Sequence, residues 1–180
     1  YLKALDDIKK NFDIKEWKEA RSAPVEYLGQ NIQQFDEKIV KDMSNYIQKL
    51  EPLAIPKETG SRDVTEDERS DLRSLLYKMR WPAMKVVPEV AYDVNRGTQE
   101  LHRATLETMR ECNRVLSRMQ DLDKKGEARV TFKPIDLGDP VLISCLDASR
   151  GNETGRKSQE AFVSLLTDSK ALKEEHNVNM

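Results

Sequence analysis

The sequence predicts an α+β chain, and three observations carry that prediction. Apolar residues recur at helical spacing through the middle of the chain, along Leu72, Leu75, Leu76 and Met79 and again along Leu101, Thr105, Met109, Cys112, Leu116 and Met119. Two runs near the C-terminus, residues 141–146 and 161–166, are almost wholly apolar and have the length of buried strands. Near the N-terminus, residues 25–32 and 38–41 are two strand-like stretches about a turn that begins at Phe35.

Composition narrows the classes of function. A chain of 180 residues is enough for one domain or two small ones. Charged residues at 34% nearly match hydrophobic ones at 38%, so the core is lean, as in a piece of a larger protein. Formal net charge is -2, so any nucleic-acid surface has to be local. No apolar run approaches the ~20 residues of a membrane-spanning helix. Cys112 and Cys145 have no metal-ligand spacing and read as reduced core thiols of an intracellular protein; nothing separates a cytoplasmic particle from the nucleus. Tyr1 is neither an initiator Met nor the start of a secretory pattern, which reads as a processed chain or a fragment.

In chain order, Tyr1, Leu5, Ile8 and Phe12 mark one face of a short amphipathic helix, a face that core packing accounts for. Ile14 and Trp17 then alternate with charges, as in an edge strand or loop. Residues 25–32 read as one strand with Gly29 in its interior, where glycine marks a bulge or a close approach of another backbone or ligand. Residues 38–41 return to complete a hairpin. Asp42 or Ser44 can cap a helix that points Tyr46, Ile47 and Leu50 inward and stops before Pro52 and Pro56. After a polar linker containing Gly60, Thr65 and Glu68 form a capping box, and the helix they open runs to Trp81 and Pro82. A second helix is expected from Pro88 to about Asn95, with Gly97 beyond its end. The third and longest is expected from Gln99 to about Leu122.

That third helix carries a stripe of Arg103, Arg110, Arg114 and Arg118. Two readings stand: contact with successive phosphates, or pairing with Glu107 and Glu111 on a solvated face. Gly126 closes the helix, and residues 128–132 alternate as a strand that precedes the Leu142 strand across the turn at Gly138, Asp139 and Pro140. The apolar strand 141–146 delivers Asp147 at its end. A carboxylate there is either a turn-starting residue or a rigidly held ligand for a hard divalent ion. A polar loop with Gly151 and Gly155 leads to the last apolar run, and residues 168–180 form a charged, asparagine-rich tail. His102 and His176 stand alone as surface residues. No phosphate loop, zinc spacing, nucleophile elbow or fixed-period repeat is present in the sequence.

The succession resembles the reverse transcriptase to ribonuclease H region of a copia-type LTR retrotransposon Pol polyprotein. Tyr27, Leu28 and Gly29, followed by Lys38, Ile39 and Val40 and then by Tyr46 to Leu50, are similar to the family's aromatic-Leu-Gly strand, returning strand and Tyr-containing helix. Arg73, Ser74, Leu75 and Leu76, then Pro88, Glu89 and Val90, resemble its Arg-Ser helix and Arg-Pro-Asp segment; Cys145, Leu146, Asp147, Ala148 and Ser149, with Lys157, Ser158 and Gln159, are similar to the start of its ribonuclease H domain. The resemblance implies the end of a palm with a primer-grip-like hairpin over residues 1–56, a helical thumb or connection over 57–126, the first strands of a ribonuclease H-like sheet over 127–168, and a charged tail over 169–180. It implies that Tyr27, Gly29, Arg110, Arg114 and Arg118 touch nucleic acid and that Asp147 is the first metal-binding carboxylate, with magnesium as cofactor in the intact parent enzyme. Partners would be an RNA–DNA or DNA duplex and the remainder of the Pol polyprotein, without a membrane or a small-molecule substrate.

The family's polymerase centre needs a Tyr-x-Asp-Asp hairpin and an earlier palm aspartate, neither of which occurs in this sequence. The expectation is therefore a nucleic-acid-binding fragment of an RNA-directed DNA polymerase that neither polymerises DNA nor cuts RNA by itself. Departures from the family pattern at Tyr77, Val87, Glu89 and Glu160 leave open a decayed copy of the transposable element. A non-catalytic interaction module, docking a partner helix along the Leu101 to Met119 seam, is the other alternative.

Overall fold

Thr65 opens the first long helix as its capping box requires: the Thr65 hydroxyl accepts from the Glu68 amide, and the Glu68 carboxylate accepts from the Thr65 amide at 2.8 Å. The computed structural model describes residues 2–13, 18–57, 61–149 and 159–170, and the chain divides into two units, Tyr1–Phe132 and Lys133–Met180. Helix and sheet are mixed, as in an α+β protein.

In the first unit α1 (Leu2–Asn11) forms where the periodicity predicts it. Its face is not covered as expected, because Ile8 and Phe12 are exposed. Tyr1 and residues 14–17 lie outside the described residues. The expected single strand over 25–32 is two strands, β1 (Val25–Tyr27) and β2 (Gln30–Gln34), paired antiparallel with Tyr27 opposite Gln30. Leu28 and Gly29 have φ of 51° and 72°, the left-handed pair that a two-residue hairpin turn requires, so Gly29 is a turn residue rather than a bulge. β3 (Ile39–Asp42) returns along β2, completing the predicted hairpin, and α2 (Ser44–Ile47) follows.

α3 (Glu66–Lys85) passes through Pro82 for a further turn instead of ending there. A 3-10 turn at Pro88–Val90 leads into α4 (Ala91–Glu100), which runs through Gly97. Gly97 is a point of close approach and not a helix terminator: a Cβ there would lie 2.8 Å from Leu76 Cδ2. The helix expected from Gln99 instead begins at Leu106. The chain breaks at Ala104, which is buried, and Thr105 starts α5 (Leu106–Lys124) with its own capping box to Thr108. β4 (Arg129–Phe132) does not pair with the Leu142 strand. It joins β3, with Ile39 opposite Phe132 and Lys41 opposite Val130, and closes a sheet of order β1-β2-β3-β4.

Met43, Ile47, Leu72, Leu76, Met79, Val87, Leu106, Met109, Cys112, Leu116 and Met119 belong to one core, and no polar or charged residue is buried among those described. The α5 seam is thus consumed within the chain. Met109, Cys112, Leu116 and Met119 pack inward, which leaves no apolar seam for a partner helix and removes the physical basis of that alternative. Burial pushes the Cys112 thiol up to about 12 and keeps it unreactive, whereas Cys145 is exposed and not the core thiol expected.

The second unit is an antiparallel pair, β5 (Pro140–Ser149) and β6 (Gln159–Asp168), in register from Pro140 opposite Asp168 to Ser149 opposite Gln159. Leu142, Leu146, Phe162 and Leu166 point to one face and are exposed. Among the described residues no helix is long and apolar enough to cross a membrane.

Candidate nucleic-acid interface

The β1–β2 turn projects two large side chains into solvent, with Tyr27 63% and Leu28 65% exposed. Exposed apolar groups on a tight turn gain nothing from the fold, so what matters is how the turn is held. Gly29 lies over Tyr46, whose Cδ2 would be 3.6 Å from a Cβ at that position, and the Tyr46 hydroxyl donates to the Lys78 carbonyl at 3.1 Å. Partial burial raises the Tyr46 phenol above its ordinary value. A polar brace fixes the hairpin from its other face. Asp42 accepts from the Asn31 amide at 2.8 Å and from the Ser44 backbone N–H at 3.0 Å; the Ser44 hydroxyl donates to Asp123 at 2.7 Å, and Gln48 donates to the same carboxylate at 2.6 Å. The tip therefore sits on a sheet tied to both α2 and α5. An open cleft of about 500 Å3 lies along this braced side, lined by Asn31, Asp42, Ser44, Asp123 and Arg129 among others.

Antiparallel register puts Tyr27, Ile39, Lys41 and Phe132 on the opposite face of the sheet from that cleft. Lys41 Nζ stands 5.6 Å from the centre of the Phe132 ring, and on α3 Lys85 Nζ stands 4.9 Å from the Trp81 ring. Burial, and then the charge of Lys85, lower the Lys41 pKa, so the two ammonium groups feel each other. Neither lysine has a carboxylate at ion-pair distance among the described residues. Trp81, Phe132 and Met84 remain exposed beside them. Sequence reading missed this cluster because it is assembled by the β3–β4 pairing and by the end of α3, which are far apart in the chain.

On α5 each of the three expected arginines stands beside a carboxylate. Arg110 reaches Glu107 at 3.1 Å, Arg114 pairs with Glu107 at 2.8 Å and also with Glu111, and Arg118 reaches Asp93 at 3.4 Å. The guanidinium groups hold the Glu107 carboxyl below its usual range, Arg114 contributing most. Exposed pairs of this kind are worth about 0.2–1 kcal/mol each, so a phosphate could exchange for a carboxylate at small cost.

Asp147 falls inside β5, opposite Ala161, and not at the strand end where the apolar run appeared to stop; its side chain is exposed. Among the described residues no three His, Cys, Asp or Glu side chains come together as a metal site. No family model, no curated protein and no solved structure matches the chain.

Proposed function

We propose that the chain is the non-catalytic, nucleic-acid-gripping part of a copia-type retrotransposon reverse transcriptase, comprising the end of the palm, the helical thumb or connection and the first strands of the ribonuclease H-like sheet. The observation that carries this is the β1–β2 tip: an aromatic-Leu-Gly turn, rigidly braced from behind, with its two large side chains free to touch a primer-template duplex. The order of elements supports it in part: a small antiparallel sheet, a helical bundle and a separate long strand pair follow one another, but β4, which the resemblance assigns to the ribonuclease H-like part, belongs to the first sheet. Arg110, Arg114 and Arg118 would add phosphate contacts by exchanging their carboxylates.

Fluorescence anisotropy of the full chain with a labelled RNA–DNA hybrid tests the proposal. Affinity should fall linearly in log salt between about 50 and 200 mM, with a slope of about -0.9 per phosphate contacted, and Tyr27→Ala should weaken it. Absence of binding at the lowest salt, or binding indifferent to salt, would refute the grip. Magnesium-dependent cleavage of the hybrid, abolished by Asp147→Asn, would refute its non-catalytic character.

A further inference from the structure

We infer that the lysine-aromatic face formed by Lys41 and Phe132 on the sheet and by Trp81 and Lys85 on α3 is a binding site for single-stranded nucleic acid. The inference deepens the proposed grip and rests on it, since it names the form of nucleic acid that this face takes.

Charge and shape both favour that occupant. The two ammonium groups are positioned over aromatic rings rather than against carboxylates, at 5.6 Å for Lys41 over Phe132 and 4.9 Å for Lys85 over Trp81. Burial, and then the charge of Lys85, lower the Lys41 pKa, so an anion bound at this face would relieve repulsion between the two cations. The rings beneath are still open, Trp81 at 36% and Phe132 at 49% exposure, and Met84 is exposed beside Trp81. Tyr27 lies on the same face of the sheet. Bases in a duplex hide their faces in the stack, whereas unpaired bases offer them to aromatic rings. Alternation of cation and exposed ring is the arrangement that tracks a single strand. The α5 arginines differ, because each stands beside a carboxylate.

The test uses the full chain, a labelled oligothymidylate of about 12 nucleotides and an RNA–DNA hybrid of the same length, read by anisotropy across a salt series. Lys41→Met with Lys85→Met keeps an apolar stem of similar length on each ring and removes the charges, and thermal unfolding by circular dichroism verifies the fold. The double variant should lose about tenfold or more in single-strand affinity and about 1.4 from the log-log salt slope, at about 0.7 per phosphate contact. Trp81→Leu should cost about fivefold or more through lost stacking, with no change in slope. Single-strand binding that is undetectable, or unchanged in these variants, overturns the inference while leaving the duplex grip intact if the hybrid still binds. Displacement of the oligonucleotide by inorganic phosphate at equal phosphate concentration also overturns it, since the face would then be a small-anion site. Failure of the hybrid alone refutes the duplex grip and leaves the single-strand result standing by itself.

Discussion

Gly97→Ala should destabilise the first unit, although a helix interior ordinarily gains from that change. Replacing an interior glycine with alanine contributes about 0.8–1 kcal/mol of helix propensity. Here the new methyl would sit 2.8 Å from Leu76 Cδ2 and 3.5 Å from its Cδ1, and Leu76 is itself buried between α3 and α4. Leu76 is only 2% exposed, so its methyl groups move at the expense of core neighbours, and the insertion is overpacking, at about 1–3 kcal/mol. The net expectation is a loss of about 1 kcal/mol, read as a lower urea midpoint at unchanged slope in equilibrium unfolding. A double-mutant cycle with Leu76→Ala isolates the cause. Leu76→Ala alone should cost about 2–5 kcal/mol, and in that background Gly97→Ala should turn stabilising, because its methyl enters the space vacated. A stabilising Gly97→Ala in the wild-type background would refute the close approach of α3 and α4 at this point.

The remaining predictions concern the caps and the cysteines. Thr65→Ala should lower stability by about 1 kcal/mol in the same unfolding assay, since it removes the oxygen that accepts from the Glu68 amide. Hydrogen bonds from Arg62 first, and then from the Thr65 backbone, lower the Glu68 carboxyl to about 2. A carboxyl depressed in the folded state contributes stability that is fully present above its unfolded value and is lost as pH falls toward the folded one. Thermal midpoints should therefore drop between about pH 5 and 2, and Glu68→Gln should flatten that slope. Asn113→Ala should cost about 1–3 kcal/mol in the same assay, because the Asn113 side chain accepts from the Leu53 N–H at 2.8 Å and donates to the Leu53 carbonyl at 3.0 Å, and both backbone groups lose a partner. Titration of the native chain with a thiol reagent should modify Cys145 promptly and Cys112 only upon unfolding.

Local signals made the helices and hairpins legible. Thr65 and Glu68 announce their helix in four residues, and the Tyr46, Ile47 and Leu50 pattern places α2, with Ile47 and Leu50 in the core. Glycine was the less readable signal, because a turn, a bulge and a close approach all call for it. Gly29 proves to be a hairpin turn, where its φ of 72° is needed, and Gly97 a helix contact, where its missing Cβ is. Proline misled in the same way: Pro82 lies within the last turn of α3, and two further backbone N–H groups, those of Val86 and Val87, donate to its carbonyl. The arginine stripe was legible as a stripe, and its Glu107 and Glu111 partners lie at the spacing that a helix makes adjacent.

What a linear reading could not supply is the pairing of β3 with β4, which brings Phe132 beside Ile39 across the whole helical bundle. Residues 128–132 alternate as a strand should, yet alternation does not specify a partner, and the nearest strand in sequence was the wrong one. Burial decides it physically. Ala128 is in the core and Val130 packs against it, so the strand leaving α5 is anchored to the bundle and meets the open edge of β3. The lysine-aromatic face is a product of that closure, since Lys41 has no ring beneath it until β4 is in place. The tip at Tyr27 depends instead on its own hairpin, the Tyr46 contact and the Asp42, Ser44 and Asp123 brace, whose side-chain hydrogen bonds do not involve β4. The two candidate surfaces therefore depend on different parts of the fold: a change that displaces β4 should abolish single-strand binding at Lys41 and leave the hairpin tip able to meet a duplex.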